Sequence, residues 1–366
     1  MTLESRRVDL GNDQVTHRQI VATISPKLQQ LIILPTEKCN FRCTYCYEDF
    51  LIGKMKEPVQ ASIERYMDRR VPELTGLSLQ WFGGEPLLAK SVVLRLSSHA
   101  YRLCEQYDVG LEGSLTTNGY LLEPALFREL VSYRQRYFQI TLDGWDEQHN
   151  VVRKLANGGG SFERIWSNLL ATREHPEDFT IQIRVHVRRD NFESLHLLMM
   201  KLAEAFGGDR RYVLDFQHLR DLGGAGGKTI DRPVSPAELR MLEADLRAEY
   251  EAAVAAKLGS RQVDVIPAYA SEAVSGKPSD LKLTDAVQSV EICYAAKPNS
   301  LLIRADGRIG KCTVALTDDR NTLGAINPDG TVTIDSGKLK PWIRGLASLD
   351  REELECPLGG MAHATV

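Results

Sequence analysis

The chain has 366 residues, enough for two domains, and its 45 basic and 49 acidic side chains leave a formal charge of −4. This balance argues against nucleic acid or an anionic membrane as a partner, and no run approaches the roughly 18 apolar residues of a membrane span. No apolar segment follows the N-terminal arginines, so we expect no signal peptide and a cytoplasmic location. In that reducing compartment the seven cysteines are not expected to form disulfides.

Short apolar runs alternate with helix-period segments over the first two thirds of the chain. The predicted strands are Leu31–Leu34, Leu77–Phe82, Leu111–Thr116, Phe138–Leu142, Thr180–Val187 and Tyr212–Phe216. The predicted helices are Val59–Arg70, Ser91–Tyr107, Pro124–Tyr133, Phe162–Arg173 and Leu195–Phe206. This alternation predicts an α/β fold of parallel βα units, which right-handed crossovers would curl into a barrel or partial barrel.

Polar or glycine-rich groups follow four consecutive predicted strands. Cys39 comes shortly after the first strand, and Gly83-Gly84-Glu85-Pro86 follows the second. Thr117-Asn118-Gly119 and Asp143-Gly144 follow the third and fourth. Because the chemistry of parallel barrels lies where strands end, these groups are expected on one rim.

Further along the chain, two glycine runs and one long helix stand out. Gly158–Gly160 and Gly223–Gly227 are interpreted as loops rather than phosphate cradles, and the second is expected to mark the exit from the barrel. The segment Ser235–Lys257 predicts a helix with an N-cap serine, proline at its first position and glutamate at its third. This helix is expected to bridge to the C-terminal region.

The first three cysteines form a tight group, Cys39, Cys43 and Cys46, with C-x3-C-x2-C spacing. Structural zinc usually takes four ligands, often as two cysteine pairs, and neither a second pair nor a nearby histidine completes such a set. Three thiolates suit a [4Fe–4S] cluster, which would keep one iron free of protein ligands. An iron with an open position can bind and activate a small molecule.

The segment PTEKCNFRCTYCYEDF resembles the cluster loop of the radical S-adenosylmethionine (SAM) enzymes, whose signature is C-x3-C-x-aromatic-C. The resemblance implies that Cys39, Cys43 and Cys46 hold a [4Fe–4S] cluster that chelates SAM, and that the backbone of Tyr45 lies against the adenine. It also implies a partial (β/α)6 barrel. In this family, electron transfer from the reduced cluster produces a 5′-deoxyadenosyl radical, which abstracts hydrogen from the substrate.

Two further segments resemble SAM-contacting parts of the family. In the GGEP segment, Gly83 and Gly84 are expected to let the backbone approach the methionine end of SAM, and Glu85 or nearby carbonyls to receive its ammonium. Thr117 and Asn118 resemble a segment that lies beneath SAM; taken alone, Asn-Gly is usually only a turn.

A third segment, TLDGWDEQHN, resembles the family pattern S-x-D-G-x4-H. Thr141 stands where relatives commonly carry serine, and it is expected to contact the cofactor. Asp143, His149 and Arg153 fit the same segment. For His149 we expect no functional role: it is interpreted as a hydrogen-bonded histidine on the surface, near a strand end.

Three other residues are interpreted here: one as structural and two as weaker candidates for ligand contact. Cys104 lies in an apolar-periodic helix and is expected to be a buried structural thiol. Arg184 and His186 share one face of the fifth strand, so both are candidates for contacts with substrate or SAM in the lumen.

The last three cysteines have a spacing of their own. Cys293, Gly307 and Cys312 form C-x13-G-x4-C, which resembles the opening of the SPASM and Twitch auxiliary-cluster extensions. A β-hairpin with a D-G turn is expected to return Cys312 toward Cys293. Cys356 is the remaining candidate ligand, although a Twitch domain would want a further cysteine where Gly359 stands.

Two interpretations of these three cysteines remain open. They hold one auxiliary [4Fe–4S] cluster whose fourth iron takes substrate, water or a non-cysteine ligand, or they hold no metal. The retained glycine spacing favours the cluster. A full SPASM domain carries seven cysteines and two clusters, so a second auxiliary cluster is not expected.

The expected organisation has four parts. Residues 1–30 form an N-terminal extension and 31–225 the radical SAM partial barrel. Residues 226–285 form a helical linker and 286–366 the SPASM/Twitch-like domain.

The resemblance implies an enzyme that modifies a ribosomally synthesised peptide by crosslinking, epimerisation or oxidation, with an external electron donor such as flavodoxin or ferredoxin. Sulfatase maturation is disfavoured, since that type carries aspartate where Thr313 follows Cys312. Two alternatives stay open: a radical SAM dehydrogenase of small molecules, and a non-catalytic, zinc-structured binding protein.

Overall fold

The computed structural model describes residues 24–258 and 292–362. Its strands form one ten-stranded sheet in the order β10-β9-β8-β7-β1-β2-β3-β4-β5-β6. The strands are β1 (Leu28–Ile33), β2 (Gly76–Trp81), β3 (Gly110–Thr117), β4 (Gln135–Thr141), β5 (Thr180–Val187), β6 (Tyr212–His218), β7 (Ser300–Ile303), β8 (Arg308–Gly310), β9 (Gly324–Ile326) and β10 (Val332–Ile334). The first six run parallel, each beside the next in sequence, so the predicted α/β fold of parallel βα units is confirmed.

Helices connect these parallel strands and cover the outer face of the sheet. The helices are α1 (Glu57–Arg70), α2 (Lys90–Tyr107), α3 (Pro124–Ser132), α4 (Glu147–Val152), α5 (Phe162–Thr172), α6 (Phe192–Phe206), α7 (Gly224–Gly227), α8 (Pro236–Leu258), α9 (Ser336–Leu339), α10 (Gly345–Ser348), α11 (Arg351–Glu355) and α12 (Pro357–Ala362). The main apolar core lies between these helices and the strands. The five predicted barrel helices are all present, with bounds that differ by at most a few residues.

Strand β1 is paired along both edges. It runs parallel to β2 on one side and to β7 on the other, where Gln30 lies opposite Ser300. Because its second edge is occupied by β7, β1 is not free to close a barrel with β6. The sheet is therefore an open, partial barrel, and the C-terminal strands extend it.

The predicted hairpin in the C-terminal region is confirmed. Strands β7 and β8 pair antiparallel, and Gly307 in the turn has φ of +88°, a conformation that glycine adopts without the steric cost of a Cβ. Strands β9 and β10 continue the antiparallel extension.

Helix α8 begins as predicted and packs along α6. Ser235 Oγ accepts from the Glu238 N–H (3.3 Å), and the Glu238 carboxylate accepts from the Ser235 N–H (2.9 Å), which is a capping box. The remainder of the expected linker, residues 259–285, lies outside the described residues, as do 1–23, 286–291 and 363–366. The four-part division therefore stays a prediction.

A buried ion pair ties the start of the cysteine loop to the end of β7. Arg304 Nε and Nη2 donate to the two carboxylate oxygens of Glu37, each at 2.7 Å. The two side chains are 6% and 0% exposed, and Arg304 Nη1 donates to the carbonyl of Leu316. This two-pronged geometry fixes both position and angle between the two segments.

None of the described helices has the length and apolar content that a membrane crossing requires.

Replacing Glu37 with glutamine should leave the Arg304 guanidinium buried beside a neutral amide. We expect the free energy of unfolding to fall by about 3–5 kcal/mol, measured as a shift of the urea midpoint. Glu123→Gln is the matched control, because Glu123 pairs with Arg164 at the surface, and it should cost less than about 1 kcal/mol. Small and equal effects in both variants would contradict this account of the ion pair.

Candidate functional site

The cysteine loop follows β1 and carries three half-buried thiols, Cys39, Cys43 and Cys46. A turn brings the last two together, because the Cys46 N–H donates to the Cys43 carbonyl (3.1 Å). The Phe41 N–H points at Cys39 Sγ (3.3 Å). The loop thus gathers three sulfurs and one backbone donor in a short stretch of chain.

Burial raises the pKa of Cys39 to about 12 and that of Cys46 to about 11, and the neighbouring thiols add to both shifts. This mutual influence shows that the three sulfurs lie near one another. Within residues 24–258 and 292–362, no group of three His, Cys, Asp or Glu side chains is arranged to hold a single metal ion. A cluster of several irons spreads its cysteine ligands more widely than one ion does, and its positive irons would deprotonate the thiols. Three thiol donors from one loop are the ligand set of a [4Fe–4S] cluster that keeps one iron free of protein.

Gly83 and Gly84 lie against the backbone that precedes Cys39. A Cβ on Gly83 would lie 2.3 Å from the Thr36 carbonyl oxygen, and Gly83 has φ of +116°. A Cβ on Gly84 would lie 2.5 Å from the Glu37 carbonyl oxygen and 2.6 Å from that of Lys38. These two glycines therefore allow two loops of the protein to approach each other closely. From the sequence, we expected them to allow the backbone to approach SAM.

Glu85 joins the ends of β2 and β3 and is fully buried. Its Oε1 accepts from the Leu87 N–H (2.9 Å) and the Thr117 hydroxyl (2.8 Å), and its Oε2 accepts from the Asn118 N–H (2.7 Å). A carboxylate so engaged positions the loops. The expectation that Glu85 or nearby carbonyls receive the SAM ammonium stays a prediction.

Asn118 connects the end of β3 to the cysteine loop. Its Nδ2 donates to Asn40 Oδ1 (2.8 Å) and lies 3.9 Å from Cys39 Sγ. Thr117, also buried, accepts from the Gly119 N–H (3.1 Å). The second and third strand ends thus meet the first at the cysteine loop, as expected for one rim.

A buried polar network surrounds the Tyr45 side chain. Its hydroxyl donates to Asp143 Oδ2 and accepts from Arg153 Nη1 (2.7 Å), and His186 Nδ1 donates to Asp143 Oδ1 (3.0 Å). Burial by itself would raise the pKa of Asp143, but His186 and Arg153 outweigh it, so this pKa lies below its ordinary value. Asp143 is therefore an ionised anchor that holds Tyr45 to the ends of β4 and β5.

The interpretation of His149 as a surface histidine is wrong. The residue is fully buried, its Nδ1 accepts from the Asp143 N–H (3.3 Å), and its ring meets Phe162 edge-on. The short helix α4 turns back under the strand end and covers it, which a local pattern does not reveal.

The remaining assigned residues are placed as follows. Thr141 ends β4 and is buried. Arg184 and His186 share the face of β5 opposite its buried side chains, and Arg184 pairs with Asp215 on β6 (2.8 Å). Cys104 is buried in the main core, so its assignment as a structural thiol is confirmed.

The glycine run after β6 packs on the cysteine loop, a contact that sequence reasoning missed. The Gly226 N–H donates to the Cys46 carbonyl (3.2 Å). A Cβ on Gly226 would lie 2.4 Å from that same oxygen, and one on Gly224 would lie 2.5 Å from the Tyr47 carbonyl oxygen. The repeated glycines are the only available signal for this contact, because they mark a backbone approach too close for side chains.

The three C-terminal cysteines lie within electrostatic reach of one another; Cys293 and Cys312 are half-buried and Cys356 is exposed. Burial raises the pKa of both Cys293 and Cys312, and Cys356 adds to each shift. Nearby, Lys311 donates to the carbonyls of Lys297 and Ser300, and burial lowers its pKa to about 7.

A cavity of about 160 Å³ lies between the barrel strands and the C-terminal region. Its lining is uncharged: Ile32, Gln80, Trp81, Phe82, Ser114, Thr116, Tyr294 and Thr313. Tyr294 and Thr313 directly follow the two cysteines of the hairpin region, and their hydroxyls lie 2.8 Å apart. In the sequence Thr313 stands out only as a departure from sulfatase maturases, and no sequence pattern marks Tyr294.

Tyr47 lies near one cysteine of each group. Burial raises the pKa of Tyr47, and Tyr294, Cys46 and Cys312 add to that shift. Tyr47 therefore stands within electrostatic reach of both groups.

The buried environment of His149 predicts a histidine that stays neutral across the physiological range. Burial lowers its pKa to about 3, and Arg153 and Arg188 add to this effect. The stability that it contributes is complete above about pH 6.5, where the unfolded residue is also neutral, and is lost as the pH falls toward 3. In ¹³C-labelled histidine NMR spectra, the signal missing from His149→Gln should not titrate between pH 8 and 5; a midpoint near 6.5 would contradict the burial.

Comparison with known proteins gives consistent findings. The radical SAM superfamily model matches residues 33–200. The chain is 27% identical over 226 residues to GTP 3′,8-cyclase of Xanthomonas campestris pv. campestris, covering 58% of this chain and 60% of the relative. It is also 27% identical over 165 residues to the cysteine-type anaerobic sulfatase-maturating enzyme of Clostridium perfringens, covering 43% and 44%. The chain thus matches less than two thirds of the length of these relatives.

Solved structures share the fold. One is native anSMEcpe with bound AdoMet and Cp18Cys peptide, with a TM-score of 0.57 and 18% identity over 88% of this chain and 83% of that one. Another is Streptococcus suis SuiB bound to the precursor peptide SuiA, with a TM-score of 0.54 and 14% identity over 90% and 70%. With the loop of three thiols, the family match shows that residues 33–200 form a radical SAM domain, and members of this superfamily use a [4Fe–4S] cluster and SAM.

Proposed function

We propose that this enzyme modifies a ribosomally synthesised peptide within the space between the barrel and the C-terminal cysteines. The observation that carries the proposal is an uncharged cavity between the barrel strands and the C-terminal region, lined by Tyr294 and Thr313, which directly follow Cys293 and Cys312. A cavity of about 160 Å³ has room for one amino-acid side chain. Solved structures with the same fold hold peptides, namely SuiA in SuiB and Cp18Cys in anSMEcpe.

The residues on the rim have separate roles. Cys39, Cys43 and Cys46 would hold the cluster, which when bound would supply the electron for reductive cleavage of SAM. The backbones of Gly83 and Gly84 keep the second strand end against the cysteine loop, and Asn118 does the same for the third. Tyr45 is held at the adenine side by Asp143 and Arg153. Thr141 completes the rim at the end of β4.

The C-terminal cysteines form the second part of the proposed site. Cys293, Cys312 and Cys356 lie near one another, and we assign them to one auxiliary [4Fe–4S] cluster, beside which Lys311 is buried. Three protein ligands leave one iron open to a peptide group.

The uncharged cavity also limits what reacts there. Tyr294 and Thr313 share two hydroxyl protons, and only one of these can lie between their oxygens. The other is available to a carbonyl or amide of the substrate. A nucleotide would need charged partners in this space, and among the lining residues there are none. This favours a peptide over a nucleotide such as the one named for the Xanthomonas relative, and a small neutral alcohol remains the second candidate.

The test combines SAM cleavage with peptide modification. The anaerobically purified enzyme, given SAM, a reductant such as reduced flavodoxin, and short peptides encoded beside its gene, should release 5′-deoxyadenosine and change the mass of one peptide. Cys43→Ala should abolish both, whereas Cys104→Ala, which alters a thiol in the core, should retain both. Persistent cleavage in Cys43→Ala would refute the ligand assignment, and cleavage coupled only to a small alcohol would refute the peptide.

A further inference from the structure

The inner face of the sheet continues from the uncharged cavity toward β5 and β6. Thr116, which lines that cavity, pairs with Gln139 on β4, and Gln139 pairs with Gln182 on β5. Paired residues of neighbouring strands project from the same face of a sheet. Arg184 follows Gln182 by two residues and therefore shares that face. The cavity wall and Arg184 thus belong to one inner surface.

Arg184 and Asp215 bring charge to this surface, where Gln139 and Gln182 carry only neutral amides. Arg184 Nε donates to Asp215 Oδ2 (2.8 Å), and Gln217 Nε2 donates to Asp215 Oδ1 (2.7 Å). Both carboxylate oxygens of Asp215 are therefore engaged. The Asp215 side chain is 11% exposed, whereas that of Arg184 is 30% exposed. The more accessible partner of this ion pair is the cation.

The terminal nitrogens of Arg184, Nη1 and Nη2, are open. Toward the described residues Arg184 uses only its Nε as a side-chain donor, and its terminal nitrogens are not among the buried atoms that lack a partner. Arg304 provides a contrast, because its Nε, Nη1 and Nη2 all donate to protein oxygens. An arginine that only joins two segments engages its guanidinium fully, as Arg304 does. Asp215 instead orients the Arg184 guanidinium and leaves its outer edge accessible.

We propose that Arg184 binds a carboxylate of the substrate, so that the enzyme selects peptides with an aspartate or glutamate close to the reacting residue. The planar edge formed by Nη1 and Nη2 presents two donors to the two oxygens of a carboxylate. This inference rests on the proposed function, because it takes the cavity beside Thr116 as the place of the reacting side chain.

The register of the sheet sets the spacing between the two substrate residues. Strands β3 and β5 are separated by β4, so Thr116 and Arg184 lie on strands about 10 Å apart. An extended peptide covers about 3.3–3.6 Å per residue. A peptide whose reacting side chain enters the cavity therefore brings a residue about three positions away to Arg184.

Two pools of acetylated, amidated heptapeptides are the probe. One pool has glutamate and the other glutamine at the centre, and the remaining positions are random uncharged residues. Equal amounts are captured on the immobilised anaerobic holoenzyme in saturating SAM without reductant, and the retained peptides are counted by mass spectrometry. The wild type should retain the glutamate pool about tenfold over the glutamine pool, because only a carboxylate forms charge-assisted bonds with the guanidinium.

Variants assign this selection to one side chain. Arg184→Gln should bring the ratio of the two pools to about one. Arg184→Lys should give a ratio between these values, since lysine keeps the charge without the planar edge, and it serves as the test if the glutamine variant does not fold. Arg164→Gln is the matched control, because it removes the same charge from an arginine that pairs with Glu123 at the surface. It should change the ratio by less than about twofold.

The outcomes separate this inference from the proposed function. Selection of glutamate that depends on Arg184, in an enzyme that modifies no peptide, would support the carboxylate site and refute peptide modification. Modification of a peptide together with equal retention of the two pools would refute the carboxylate site alone. A ratio near one in the wild type, or an unchanged ratio in every folded Arg184 variant, would overturn the carboxylate site.

Discussion

The double pairing of β1 is the constraint on which the rest of the structure depends. Its pairing with β2 places the cysteine loop at the rim of the parallel strands, and its pairing with β7 brings the C-terminal hairpin to the same rim. The buried contact between Glu37 and Arg304 then fixes the angle between the two segments. One strand therefore sets the distance between two groups of cysteines that are about 250 residues apart in sequence.

The cysteine loop owes its shape to glycines on two sides. Gly84 admits the backbone of residues 37 and 38, and Gly226 admits the backbone of Cys46. Contacts of this kind have no side chain to adjust, so they hold the loop by backbone sterics alone. A loop restrained in this way keeps its thiols gathered with few regular secondary-structure bonds, while the side chains of Tyr45 and Asn118 remain available to connect it to neighbouring strand ends.

The sequence predicted most of the barrel and the identity of its rim, because strand alternation and the spacing of Cys39, Cys43 and Cys46 are local signals. The D-G turn that returns Cys312 toward Cys293 was predictable for the same reason. The β1–β7 pairing and the Glu37–Arg304 bridge were not, since they join segments separated by more than 250 residues. The burial of His149 was missed because it follows from how α4 folds under a strand end.

Each of the two groups of cysteines is proposed to hold a [4Fe–4S] cluster. The most direct measurement is an anaerobic iron and sulfide count on the wild type, on Cys39/Cys43/Cys46 triple alanine, and on Cys293/Cys312/Cys356 triple alanine. About eight irons in the wild type and about four in each variant are the predicted result. About four irons in the wild type, none in the first variant and an unchanged count in the second would show that the C-terminal cysteines hold no metal and would contradict the account.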